Sequence, residues 1–170
     1  SVVMAHAFVT AGAETAAQVV VERSDSERDL RVGGVDSVPS EVFSEIDYVA
    51  LGHLHGAQRV LADNVRYSGS PLRYSFSEIH QRKQLLLVDL DADGLAEVTA
   101  IPVEQPRAMA SIVGTLDEVL TSDAFEQHTG AWVQVSVTDA ARPRELLARV
   151  RERSPDALVV RHVPTSGPLV

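Results

Sequence analysis

The stretch of this sequence best suited to chemistry is Gly52-His53-Leu54-His55-Gly56, two histidines two residues apart with a glycine on each side. Glycine accepts turn conformations that a Cβ would crowd, so both imidazoles of such a loop can face one centre. Neutral imidazole is a ligand for manganese, iron, zinc and related ions. By itself His-x-His spacing also suits a pair of surface histidines. Two further features point toward a metal. The loop follows the apolar run Asp47–Leu51, and ligand-binding loops commonly sit at the carboxyl ends of strands. The sequence also has no cysteine, so any transition-metal site must be built from His and carboxylates.

His6 is the second candidate. It alternates with Met4 and Phe8 on one face of the run Val2–Val9, where burial is expected. A histidine on an apolar face is more often a hydrogen-bonded core residue than a ligand. Other motifs carry less. Asp89-x-Asp91-x-Asp93-Gly94 imitates the start of a calcium loop, but its twelfth position is Ala100 and strands flank it. Gly69-Ser70-Pro71 lacks the rest of a nucleophile elbow. His80, His128 and His162 have no partners at ligand spacing, and Arg144, Arg149, Arg151 and Arg153 read as a solvated helix face beside Glu145 and Glu152.

The elements that must position these residues follow from periodicity. Val2–Val9 reads as a buried strand, and residues 11–40 as irregular with one short strand at Arg28–Val32. Strands are expected at Asp47–Leu51, Gln58–Leu61 and Val65–Tyr67, then a hairpin of Gln84–Asp89 and Leu95–Ile101 turning at Asp93-Gly94. A change in composition near Pro102–Pro106 marks a boundary. Beyond it the pattern is strand, helix, strand, helix, strand. The strands are Met109–Val113, Trp132–Thr138 and Leu158–Val163. One helix opens on the capping box Thr115…Glu118, and another starts at Pro143. Val133, Val135, Val137, Leu146, Leu147 and Val150 are expected to share one core.

With 170 residues, 45% hydrophobic and 23% charged, the composition is that of a globular protein. No apolar run approaches the ~20 residues that span a bilayer, and with no cysteine the expected compartment is cytoplasmic. A net charge of −9 lowers the expectation of nucleic-acid binding without removing it, because summed charge says little about a local site.

Several of these strings together carry a family resemblance. His6-Ala-Phe, then SDSER (Ser24–Arg28) with Val32–Gly34, then DYVALGHLHGAQ (Asp47–Gln58) resemble the later half of a calcineurin-like metallophosphoesterase. VRYSGSPLRYSFSE (Val65–Glu78), closed by Lys83, narrows the resemblance to the SbcD nuclease-subunit family. It implies an α+β fold. Residues 1–105 would be the C-terminal part of a four-layer α/β/β/α sandwich. Residues 106–164 would form a small α/β capping domain that handles DNA, and 165–170 a tail.

The resemblance implies two divalent metal ions, typically Mn²⁺, with His6 and His53 ligating one and His55 the other. Ser68-Gly69-Ser70 would lie beside that centre without a catalytic role. The implied activity is phosphodiester hydrolysis, as a double-strand exonuclease and a single-strand endonuclease working with an SbcC-type ATPase on DNA. It serves recombination, repair and replication, and the resemblance leaves room for a homodimer. Another metallophosphodiesterase, or a non-catalytic DNA- or protein-binding module, are the alternatives.

The sequence departs from the family in one respect. The Asp-x-His, Gly-Asp and Gly-Asn-His-Asp/Glu motifs that supply the remaining ligands and a catalytic His are absent. No catalytic residue is therefore expected in these 170 residues, and the abrupt opening on a strand leads us to expect an upstream part.

Overall fold

The structure, a computed structural model, describes residues 1–10, 22–25, 27, 37–60 and 62–165. They divide into two compact units, Ser1–Gln105 and Pro106–Val170. The expected strand Arg28–Val32, the Val32–Gly34 string, Leu61 and residues 166–170 of the tail lie outside the described residues.

The first unit contains strands β1 (Val2–His6), β2 (Val9–Thr10), β3 (Val38–Pro39), β4 (Tyr48–Gly52), β5 (Gln58–Val60), β6 (Ala62–Tyr67), β7 (Gln84–Asp91) and β8 (Gly94–Pro102). Four of them form a sheet in the order β1-β4-β6-β5, parallel except for the β5–β6 pair. Strand β4 lies between two parallel neighbours, a position that demands apolar residues on both faces. Tyr48, Val49 and Leu51 meet that demand and are buried. The core around them gathers Val9, Leu54, Val60, Val65 and Tyr67.

The run Val2–Val9 is two strands rather than one. Strand β1 stops at His6, and Val9 pairs instead with Val38 in the short parallel β2–β3 ladder. Tyr67 fixes the break: its hydroxyl donates to the Ala7 carbonyl (2.8 Å) and accepts from the Val9 amide (2.7 Å). Burial of this segment is also less than its composition suggests. Val2 is 54% and Met4 85% exposed, and His6 shares their exposed face. Among the described residues, strand β1 ends the sheet, with β4 as its one neighbour in it.

Strands β7 and β8 form the expected hairpin. Gly94 takes φ +117° at the turn, and the Asp93 amide donates to Asp91 Oδ1 (2.8 Å), so the acidic run serves turn geometry.

The second unit is a β-α-β-α-β arrangement. It comprises β9 (Met109–Gly114), α1 (Leu116–Thr121), the single turn α2 (Ala124–Gln127), β10 (Trp132–Val137), α3 (Leu146–Arg153) and β11 (Ala157–His162). The sheet runs β11-β10-β9, all parallel, with β10 central. Val133, Val135 and Val137 face one core with Ile112, Val119 and Val150. The capping box is present: Thr115 Oγ1 accepts from the Glu118 amide, and the Glu118 carboxylate accepts from the Thr115 amide.

Helix α3 differs from expectation. It starts at Leu146, after Glu145 in a left-handed conformation (φ 54°), so Pro143 lies outside it. Leu146 and Val150, four residues apart, share the inward face, whereas Leu147 is turned out and 47% exposed. No helix among the described residues is long and apolar enough to cross a membrane.

Candidate functional site

The carboxyl end of β4 delivers the glycine–histidine loop, and the parallel register sets His6 of β1 opposite Gly52. That pairing brings two imidazoles together. The rings of His6 and His53 lie 5.4 Å apart between centroids and meet edge to face at 66°. His53 adopts φ 104°, a left-handed backbone that side chains rarely accept. Its Nε2 is buried and has no hydrogen-bond partner among the described residues. Burial, and secondarily the proximity of His6, hold the His53 pKa below the ordinary value of 6.5, while Glu27 opposes the shift. A neutral ring with an unsatisfied buried nitrogen is what a metal ligand requires.

His55 is held in a different set of contacts. Its amide donates to Glu27 Oε1 (2.6 Å), and Glu27 Oε2 accepts from the Ser24 amide (3.0 Å). The His55 ring packs 5.4 Å from Tyr74, and its Nδ1 lies 2.9 Å from Glu78 Oε1.

Glu78 ends the single 3₁₀ turn Phe76–Glu78, which Ser75 caps by accepting from the Ser77 amide. Its side chain is 0% exposed. Oε1 also accepts from Ser24 Oγ (3.1 Å), and Oε2 accepts from Lys83 Nζ (2.7 Å). Lys83, 4% exposed, donates further to the His55 carbonyl, Ser70 Oγ and Gln81 Oε1, all within 2.9 Å. Such a cation and carboxylate are tolerated in an interior because each is paired and its remaining valences are filled.

The loop Ser68-Gly69-Ser70 closes on the same segment. The Ser70 amide donates to the His55 carbonyl (3.1 Å). Gly69 has φ +81°, and a Cβ there would lie 2.8 Å from that carbonyl oxygen. A cavity of about 570 Å³ borders the loop through Gly56 and Ala57 and is lined by Arg23, His80 and Arg82 among others. Its charged lining is mixed, with Arg23 and Arg82 beside Glu22.

Of the three histidines singled out from sequence, the structure brings His6 and His53 into ring contact and gives His55 to Glu78. Among the described residues no group of three His, Cys, Asp or Glu is gathered closely enough to hold a metal ion. Glu78, Lys83 and Glu27 escaped the sequence reading as members of the site. One signal pointed to Lys83: it is the only lysine among 15 basic residues, inside a segment otherwise supplied with arginine.

The second unit assigns the class. Residues 105–167 match the family of SbcD C-terminal domains, described as the type 5 capsule protein repressor C-terminal domain. A relative from Staphylococcus epidermidis, the D subunit of the SbcCD nuclease, is 30% identical over 140 residues. That match covers 82% of this chain and 37% of the relative, so the chain spans little more than a third of its length. The chain belongs to the SbcD family, in its C-terminal portion.

Proposed function

We propose that this chain is part of a metal-dependent DNA nuclease, an exonuclease on double strands and an endonuclease on single strands, acting with an SbcC-type ATPase in the cytoplasm. On this reading residues 1–105 are the C-terminal part of a four-layer metallophosphoesterase sandwich, and residues 106–164 cap it and handle DNA. The observation that carries the reading is the buried, unpartnered Nε2 of His53 beside His6 at the end of β4, in a chain related to a nuclease subunit.

His6 and His53 would hold one divalent cation and His55 a second, with Mn²⁺ the favoured ion. Divalent cations, when bound, offset charge on phosphoryl oxygens and make an attacking water more acidic. The residues of this chain do the rest. The depressed pKa of His53 keeps its ring neutral and available as a ligand. Glu27 and Lys83 anchor the backbone of His55, and Arg23 and Arg82 offer positive charge to a phosphodiester. The carboxylate motifs that bridge two metals are absent from the sequence, so the 170 residues alone are expected to bind at most one ion and to leave DNA uncut.

The test is cleavage of linear duplex by the longer protein that this reading implies, with Mn²⁺ present. His53→Ala and His55→Ala should each abolish cleavage while duplex binding persists. Wild-type cleavage by the His55→Ala protein, or strong nuclease activity from the 170 residues alone, would overturn the proposal.

A further inference from the structure

The His55 ring is not left to choose its own orientation. Glu78 is fully buried, 23 residues away in sequence, and directs Oε1 at His55 Nδ1 across 2.9 Å. Its other oxygen is taken by the buried ammonium of Lys83 and by the Tyr74 amide. The same ammonium donates to the His55 carbonyl, so one ion pair grips both the ring and the backbone of this residue. A carboxylate can only accept, so the hydrogen of this contact belongs to Nδ1. In the neutral ring that leaves the lone pair on Nε2.

We propose that Glu78, paired with Lys83, is a positioning residue that locks His55 in the Nδ1–H tautomer and presents Nε2 as its ligand atom. The ligand would be a divalent cation of the softer first-row type that imidazole suits. Histidines that bind metals commonly donate their second ring hydrogen to a carboxylate or carbonyl, and losing that partner weakens metal affinity about 10- to 100-fold. This inference rests on the metal reading of His55 but can be tested apart from it.

The experiment uses the ¹⁵N-labelled 170-residue chain and long-range ¹⁵N–¹H spectra of the imidazoles, recorded above the ordinary histidine pKa range. His55 should show a protonated Nδ1 and a bare Nε2. An Nε2–H tautomer in the unmodified chain overturns the proposal. Removing Glu78 alone would strand the ammonium of Lys83 and could unfold the unit. The variant is therefore Glu78→Leu with Lys83→Met, which deletes both charges at similar volume. Its His55 should lose the single tautomer while the amide spectrum of β4 and β6 persists; an unchanged tautomer would sink the idea.

Mn²⁺ is then titrated into both proteins. Broadening at His55 should need at least about tenfold more Mn²⁺ in the double variant. If Mn²⁺ broadens none of His6, His53 and His55 in either protein, the metal reading fails. The tautomer result then decides by itself whether Glu78 positions the ring.

Discussion

Gly52 lies so close beneath the His6 ring that a Cβ added to it would come within 2.9 Å of His6 Nδ1. The parallel register between β1 and β4 makes this approach, and the missing side chain permits it. Gly52→Ala must therefore displace the His6 imidazole, which can swing because it is the free end of a side chain. The fold should survive with a melting temperature within a few degrees of the original. Broadening of His6 by Mn²⁺ should need about tenfold more metal. Unchanged broadening at His6 would mean that its ring position has no bearing on a ligand.

Two apolar residues of α3 differ in environment, and the difference is measurable. Val150 is fully buried in the core of the second unit and Leu147 is half exposed. Val150→Ala should cost about 2 kcal/mol through lost transfer energy and an unfilled cavity. Leu147→Ala should stay within about 0.5 kcal/mol. Urea unfolding followed by fluorescence of Trp132, the only tryptophan, reports on this unit directly. Equal costs for the two substitutions would contradict this helix phase.

Acid should weaken the same unit through one cap. The Thr115 amide, and next its hydroxyl, hold the Glu118 carboxyl below its ordinary pKa of 4.5. A carboxyl whose folded pKa is depressed adds stability that is complete above 4.5 and is lost as pH falls through the lowered value. Glu118→Gln should flatten that limb of the curve of urea midpoint against pH. Thr115→Ala should cost about 1 kcal/mol at neutral pH, the usual scale of an N-cap. A Glu118→Gln curve that overlays the original below pH 4.5 would show that the cap has no part in the acid response.

How much of this was legible in the sequence depends on how local each cause is. The Thr115–Glu118 capping box, the alternation of Val133, Val135 and Val137, and the turn at Gly94 depend on near neighbours, and the structure contains them all. The His53–His55 pair was visible for the same reason. What partners it was not. Glu78 and Lys83 reach His55 across 23 and 28 residues, and no periodicity encodes that contact. The exposure of Val2 and Met4 on β1 escaped because an apolar run does not itself say whether a second layer covers its face. The start of α3 was misplaced because Pro143 suits a first turn, whereas the chain takes a left-handed step at Glu145 before winding.

The left-handed backbone of His53 bears on how this protein could be redesigned. At φ 104° any residue with a Cβ costs about 1–3 kcal/mol more than glycine would. Optimisation guided by stability alone would therefore replace His53 with glycine, giving a firmer turn and a site without its buried imidazole. A thermostable variant of this chain should be sought elsewhere, in α3 or the β7–β8 hairpin, and position 53 left as it is.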